Sequence, residues 1–458
     1  MVAGCGIGRR RAAGTGRILT EILRLLACLP LAAGAAGTAQ FRLDNGLTVL
    51  VHEDHRAPTV VSQIWYRVGS SYEPRGRTGI SHALEHMMFK GTVRHSAGAF
   101  SRMIAARGGR ENAFTGSDYT AYFQQLDRAD LALAFELESD RMRNLVLDPQ
   151  EFAREIRVVM EERRLRTEDE PRALADEAGR ATAFASSPYR QPIIGWAEDL
   201  ARMDVGRLRD WYGRWYRPSN AVLVVAGDVE PQSVLTLARE HFAGLPTLPA
   251  PRPPAAAEPP QHGPKRVTLS VPAQLPYLSL LHKVPVLADA RARPAEVTEW
   301  EPYALELLAA ILGAGDGARL PRTLVRETGL AAEVAVDYEP YSRLSTLFSI
   351  DVVPARGQGT AQVEARILAE IARVGELAVE PAELERARTR LIAERLYLQD
   401  SVFYQAMEIG LLETAGLGWR TRERYEGALG AVSAEQVRAV AARHLGANSR
   451  TTVVLEPK

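Results

Sequence analysis

Apolar and polar residues follow one another along this chain in a pattern that is written twice. The runs at 47–51 (Leu47-Thr48-Val49-Leu50-Val51) and 60–68 predict two strands near the start, and those at 267–271 and 277–283 predict two more past the middle. A helical pattern follows each pair, at 80–90 and at 303–312. The halves also end alike, because residues 203–228 align without a gap with residues 432–457. Asp204 and Ser433 are both placed to cap a helix. Leu208 then matches Val437, Trp211 matches Val440, and Tyr216 matches Leu445. The segment Val222-Leu223-Val224-Val225 matches Thr451-Thr452-Val453-Val454, a strand in each case. Matching register over the whole stretch favours duplication of one α/β unit. Between the copies runs LPTLPAPRPPAAAEPPQHGPK, an extended and semi-rigid linker by composition. The expected organisation is a domain over 40–245, a linker over 246–264 and a homologous domain over 265–458.

Composition narrows this picture without redirecting it. At 458 residues the chain is too long for one ordinary core, and 46% hydrophobic with 24% charged residues is globular usage. The formal net charge is zero, which gives no support to nucleic acid as a partner. Residues 1–39 read as an export signal. Arg9, Arg10, Arg11 and Arg17 precede a short apolar stretch over 25–36, broken by Pro30, and Gly37-Thr38-Ala39 is a plausible cleavage site. An exported, periplasmic location is therefore expected. Glu21 and Arg24 make the signal untidy, and Leu25-Leu26-Ala27-Cys28 also resembles a lipoprotein cleavage box. No later stretch approaches ~18 apolar residues, so no membrane span is expected in the mature chain. Cys5 and Cys28 both lie in the leader, which leaves the mature chain without a disulfide or a thiol nucleophile.

The candidate chemistry lies in the helix predicted at 80–90. His82, Glu85 and His86 fall at i, i+3 and i+4 on one face, while Ile80, Ala83, Leu84, Met87 and Met88 fall on the other. Two neutral imidazoles one turn apart are a common way to hold Zn²⁺, and a carboxylate beside them can serve as general base on a water held by the ion. A zinc site needs a third protein ligand. The helix predicted at 149–164 buries a stripe of Phe152, Ile156 and Val159 and aligns Glu155 with Glu162, seven residues apart. Glu161 points about 100° away from Glu162. Spacing alone leaves two readings open: a carboxylate on the metal with another behind a ligand histidine, or a solvated Glu/Arg face.

Several segments, taken in order, carry a resemblance. They are VSQIWYRVGSSYE followed by GISHALEHMMFKGT, then GGRENAFTGSDYTAYF, EIRVVMEERR and WYRPSNAVLVVAGD. Together they resemble the pitrilysin/insulinase family of zinc metallopeptidases with the inverted His-x-x-Glu-His motif, in its bacterial branch similar to mitochondrial processing peptidase. The likeness runs from Phe41 to the C-terminus and is strongest over the first half. It implies an α+β fold of two homologous αβ roll domains that enclose a chamber, the second without a metal site. It implies one zinc per chain on His82, His86 and Glu162, with Glu85 as general base and Glu155 as the carboxylate behind a ligand histidine. Asn112 and Ala113 fall where the family holds its substrate on a sheet edge; from the residues alone Asn112 is equally a turn-former after Gly108-Gly109. The implied activity is zinc-dependent endopeptidase cleavage of peptides or unfolded polypeptides.

The chain departs from that family in one place. Active single-chain members, and one subunit of paired ones, carry an Arg and a Tyr in the second domain, in a pattern like Leu-Arg-Glu-x-x-Gly-Leu-Ala-Tyr. Aligned on Gly329-Leu330, those positions hold Val325 and Ala332 here. Either a nearby side chain such as Arg326 or Tyr338 substitutes, or a homologous zinc-free subunit supplies the pair; the second is the expectation. The rival functions are a non-catalytic assembly or scaffold subunit and a peptide-binding protein of the same fold. An intact His82/Glu85/His86/Glu162 set argues against the scaffold.

Overall fold

The computed structural model describes residues 37–254 and 257–458. The lipoprotein reading, both cysteines and residues 1–36 of the export signal read over 1–39 lie outside the described residues; Thr38 and Ala39, at the expected cleavage site, are described and pair with His52 and Val51.

Two mixed sheets organise the molecule. The first is built from β1 (Thr38–Arg42), β2 (Thr48–Glu53), β3 (Thr59–Tyr66), β4 (Arg110–Thr115), β5 (Thr120–Asp127) and β6 (Ala221–Gly227), in the order β1-β2-β6-β3-β5-β4. The second contains β7 (Lys265–Val271), β8 (Tyr277–Val284), β9 (Ala331–Asp337), β10 (Thr346–Pro354) and β11 (Arg450–Pro457), in the order β7-β11-β8-β10-β9. With β1 set aside, the two orders are the same. In both, the opening strand pairs parallel with the strand that closes the half, β2 with β6 and β7 with β11. The remaining pairs are antiparallel in both. The aligned segments 222–225 and 451–454 occupy the closing strands β6 and β11, so the duplication read from the sequence is present in the sheets.

The helices that bear on the site are α1 (Ile80–Met87), α2 (Pro149–Arg163), α3 (Pro171–Ala183), α4 (Val205–Trp215), α5 (Trp300–Gly313), α6 (Val402–Thr414) and α7 (Ala434–His444). Helices α4 and α7 are capped as the sequence requires: Asp204 accepts from the Arg207 N–H at 2.9 Å, and Ser433 and Gln436 form a capping box. Both bury the aligned face, Leu208 and Trp211 in one and Val437 and Val440 in the other. Two predicted helices end earlier or differently than their patterns suggest. The first stops at Met87, because the Lys90 N–H turns back to the Met87 carbonyl and tightens the chain. The second passes after Arg163 into a π-helical turn, Arg164–Glu168.

The halves exchange helices. Helix α3, from the first half, packs on the second sheet, where Ala175 and Ala183 join Leu281 and Val453 in one apolar cluster. Gly179 permits this approach, since a Cβ there would stand 2.7 Å from a Val453 methyl. Helix α6, from the second half, packs on the first sheet, with Ala406 and Ile409 against Leu50, Val61, Trp65 and Val224. Gly410 lies so close to Trp65 that a Cβ would overlap its ring. Among the described residues no helix is long and apolar enough to cross a membrane.

Candidate metal centre

Helix α1 begins at Gly79, whose φ of +82° and whose contact with Ile194 O leave no room for a side chain. No residue caps this helix from the usual position. Glu73 does so from six residues upstream: it is buried and accepts the Gly79 N–H at 2.7 Å and the Ser81 N–H at 2.8 Å. Burial pushes its carboxyl up to about 8, against the pull of those two donors. Ile80, Ala83, Leu84, Met87 and Met88 are all buried in the first-half core, as their periodicity requires. The opposite face presents His82, Glu85 and His86.

Helix α2 brings the third group. Its N-cap Asp148 accepts from the N–H groups of Gln150 and Glu151, with Pro149 in the first turn. Phe152 and Val159 are buried, and Ile156 packs against the same cluster. Glu162 Oε2 then lies 3.3 Å from His86 Nε2 and 3.8 Å from His82 Nε2. The three ligating atoms stand within 4.8 Å of one another. Ligands of a tetrahedral zinc, each ~2.1 Å from it, lie about 3.4 Å apart, so this donor set fits the ion. Burial lowers His82 to about 3, which leaves its ring neutral and its lone pair free at ordinary pH. Glu161 points outward to Arg164, at 2.6 Å.

A second layer fixes these side chains. Glu155 Oε1 is 2.9 Å from His86 Nδ1, and its Oε2 is 2.5 Å from Lys90 Nζ. Burial alone would raise Glu155, but the hydrogen bonds from Lys90 and His86 prevail and hold it below its ordinary value. Arg166 Nη1 holds the far oxygen of Glu162 at 2.7 Å. Glu85 receives the Thr115 hydroxyl at 2.5 Å, and burial still raises its carboxyl above the usual range. Next to Glu162, Arg163 turns inward and donates to Glu177 and to Gly195 O, both at 2.8 Å. Gly195 in turn packs on Gly79, so both metal-site helices are referred to one point.

The centre opens into a cavity of about 990 Å³. Its wall includes Asn112, Ala113, Phe114 and Thr115 of β4, the last strand of the first sheet, which pairs with β5 on one side only. The Ala113 N–H is held by Asn112 Oδ1 at 2.9 Å. Asn112 therefore sits in a strand, not in the turn its residue type allows. The candidates from the first half converge here: His82, Glu85, His86, Glu162, Asn112 and Ala113 line the cavity, and Glu155 stands behind His86. Arg326 and Tyr338 do not. Arg326 is exposed and bonds to Asp316 O, while the Tyr338 hydroxyl donates to Pro285 O at 2.6 Å. Val325 packs on the second-half core and Ala332 is exposed on β9. Thr115, Arg166 and Glu73 were not singled out from the sequence; Thr115 and Glu73 lie inside the quoted segments GGRENAFTGSDYTAYF and VSQIWYRVGSSYE, and Arg166 carries no local signal.

Comparison with known proteins bears on what this centre is. Residues 48–196 match the model for "Insulinase (Peptidase family M16)", and residues 202–391 match the model for "Peptidase M16 inactive domain". An uncharacterized zinc protease of Mycobacterium tuberculosis is 30% identical over 441 residues, which cover 93% of this chain and 94% of that one. The chain belongs to the insulinase, or M16, peptidase family. A second M16-like relative, the zinc protease PqqE of Helicobacter pylori, is 32% identical over 295 residues, 64% of each chain. A crystal structure of a protease from Helicobacter pylori superposes with a TM-score of 0.86 at 26% identity, covering 92% of this chain and all of that one. The two-sheet α+β architecture is thus the M16 fold. The half with the His82/His86/Glu162 cluster falls in the peptidase model, and most of the second half falls in the inactive-domain model.

Proposed function

We propose that this chain is a zinc endopeptidase that hydrolyses peptide bonds in peptides or unfolded polypeptides. The observation that carries this reading is the convergence of His82, His86 and Glu162 from two helices, beside Glu85 and an open sheet edge. One zinc per chain would be held by those three side chains. When bound, the ion polarises a scissile carbonyl and acidifies water. Glu85 takes the proton of the attacking water and returns it to the departing amine. Thr115 keeps the Glu85 carboxylate turned into the cavity. Glu155, backed by Lys90, fixes the ring of His86 so that Nε2 faces Glu162. The peptide lies along β4 as an added strand; its carbonyl replaces Asn112 Oδ1 on the Ala113 N–H. Backbone pairing of this kind demands little of the substrate sequence.

Metal analysis tests the ligand set. Alanine at His82, His86 or Glu162 should remove most of the bound zinc, and Glu161→Ala should leave it nearly intact. A metal-poor Glu161→Ala would put the third ligand on the wrong residue.

The reading extends to location and to partners. The leader composition supports export, with residues 1–39 as signal, residues 40–245 and 265–458 as the two domains and 246–264 as linker. N-terminal sequencing of native protein should find a start near Gln40; an intact Met1 would refute export. The absence of the family's Arg/Tyr pair at Val325 and Ala332 supports a catalytic subunit working with a homologous zinc-free chain.

A further inference from the structure

One buried ion pair crosses between the halves close to the cavity. Asp118 sits in the turn between β4 and β5 and is 7% exposed. Its Oδ1 accepts from the Ser71 hydroxyl at 2.6 Å and from Arg343 Nε at 3.2 Å. Its Oδ2 accepts from the Arg343 backbone N–H at 3.0 Å and from the Tyr189 hydroxyl. Arg343 belongs to the loop between β9 and β10, in the second half. Its Nη2 donates to Ser71 Oγ at 2.9 Å, and its guanidinium lies 4.5 Å from the centre of the Tyr72 ring. The Tyr189 oxygen accepts the N–H of the next residue, Leu344, at 3.1 Å.

This knot touches both elements that define the site. On one side is the β4–β5 hairpin: Ser117 lines the cavity, and Thr115, at the end of β4, holds Glu85. On the other is the segment 69–73. Ser70 N–H and Ser71 N–H bond to Gly116 O and Ser117 O, at 3.2 and 2.8 Å. Gly69 allows that contact, since a Cβ there would stand 2.2 Å from Gly116 O. Two residues past Ser71, Glu73 caps α1. Tyr189 is itself a cavity wall. The guanidinium and carboxylate are both largely removed from water, and each is the other's charge partner there.

We infer that Asp118 and Arg343 form a clamp by which the second half positions the edge strand β4 and the start of the metal-bearing helix α1. The clamp makes peptide binding depend on a half that, among the described residues, contributes none of those lining the cavity. This rests on the reading of β4 as the peptide edge, and Arg343 is a positioning residue under it.

The test is Arg343→Met in the full chain, which keeps an apolar stem and removes the charge, with Arg343→Lys beside it. Lysine keeps the charge but lacks the fork that spans Asp118 and Ser71. Amide hydrogen exchange should quicken by ~10-fold or more over residues 110–120 and 79–87 in the methionine variant, and β6 should be unchanged. Lysine should fall between. Zinc content should stay the same. In a Glu85→Gln background, affinity for a fluorescent unstructured peptide should drop by roughly tenfold on Arg343→Met. Unchanged exchange in β4, or a uniform rise over the whole chain, would overturn the clamp. Faster exchange in β4 with unaltered peptide affinity would sustain the clamp and overturn β4 as the peptide edge.

Discussion

Glu85→Gln should bind zinc as fully as the parent protein and hydrolyse peptides at least ~10²-fold more slowly, in line with loss of a general base. Glutamine keeps the shape of the side chain and an oxygen for the Thr115 hydroxyl, but it accepts no proton. Glu85 is not among the three ligating atoms, so metal content gives an independent control. Its surroundings favour the role. Burial raises the carboxyl, and the Thr115 hydrogen bond orients it without matching that effect. A base shifted upward takes a proton from water more readily than an ordinary carboxylate does. Metal analysis and turnover of a quenched peptide, run on the same preparation, decide the matter. Near-parental turnover with zinc in place would remove Glu85 from the mechanism. Glu155→Gln should behave otherwise, losing metal and activity together, because it acts through the His86 ring.

What the sequence made legible follows from how local each signal is. The His-x-x-Glu-His helix was readable because its two faces are set by a 3.6-residue period, and its apolar face is buried residue for residue. The duplication was readable because caps and buried positions of α4 and α7 recur in register, and the shared strand order of the two sheets bears it out. Glu162 needed the family likeness, since a Glu/Arg-rich helix has the same pattern when it is merely solvated. The exchange of α3 and α6 between halves left no trace that periodicity reveals. Gly179 and Gly410 permit it, yet a glycine in a helix does not name the sheet it will touch. Glu73 and Arg343 were hidden for the same reason. Each works through partners that only the fold brings near, and a capping carboxylate six residues before the N-cap Gly79 matches no local capping pattern.

This chain alone should bind zinc yet cleave peptides poorly, and a homologous zinc-free chain should raise its rate steeply. The family position for an oxyanion-binding donor holds Val325, which packs into the second-half core, and that for its companion holds Ala332, exposed on β9. Neither side chain donates a hydrogen bond. The nearby candidates are spent elsewhere, Tyr338 on Pro285 O and Arg326 on Asp316 O. Each missing donor typically lowers the rate by ~10²-fold or more. A second copy of the same chain would repeat the same two residues, so self-association does not repair the site. The purified chain should therefore be assayed alone and then with a homologue that lacks His-x-x-Glu-His and carries the Arg and Tyr. A gain on the order of 10²-fold is expected if the partner completes the oxyanion site. High specific activity from a chain shown to be single or homodimeric would refute the requirement. The donor would then have to come from the first half, where Arg166, Arg180 and Arg190 line the cavity, and alanine at each would identify it.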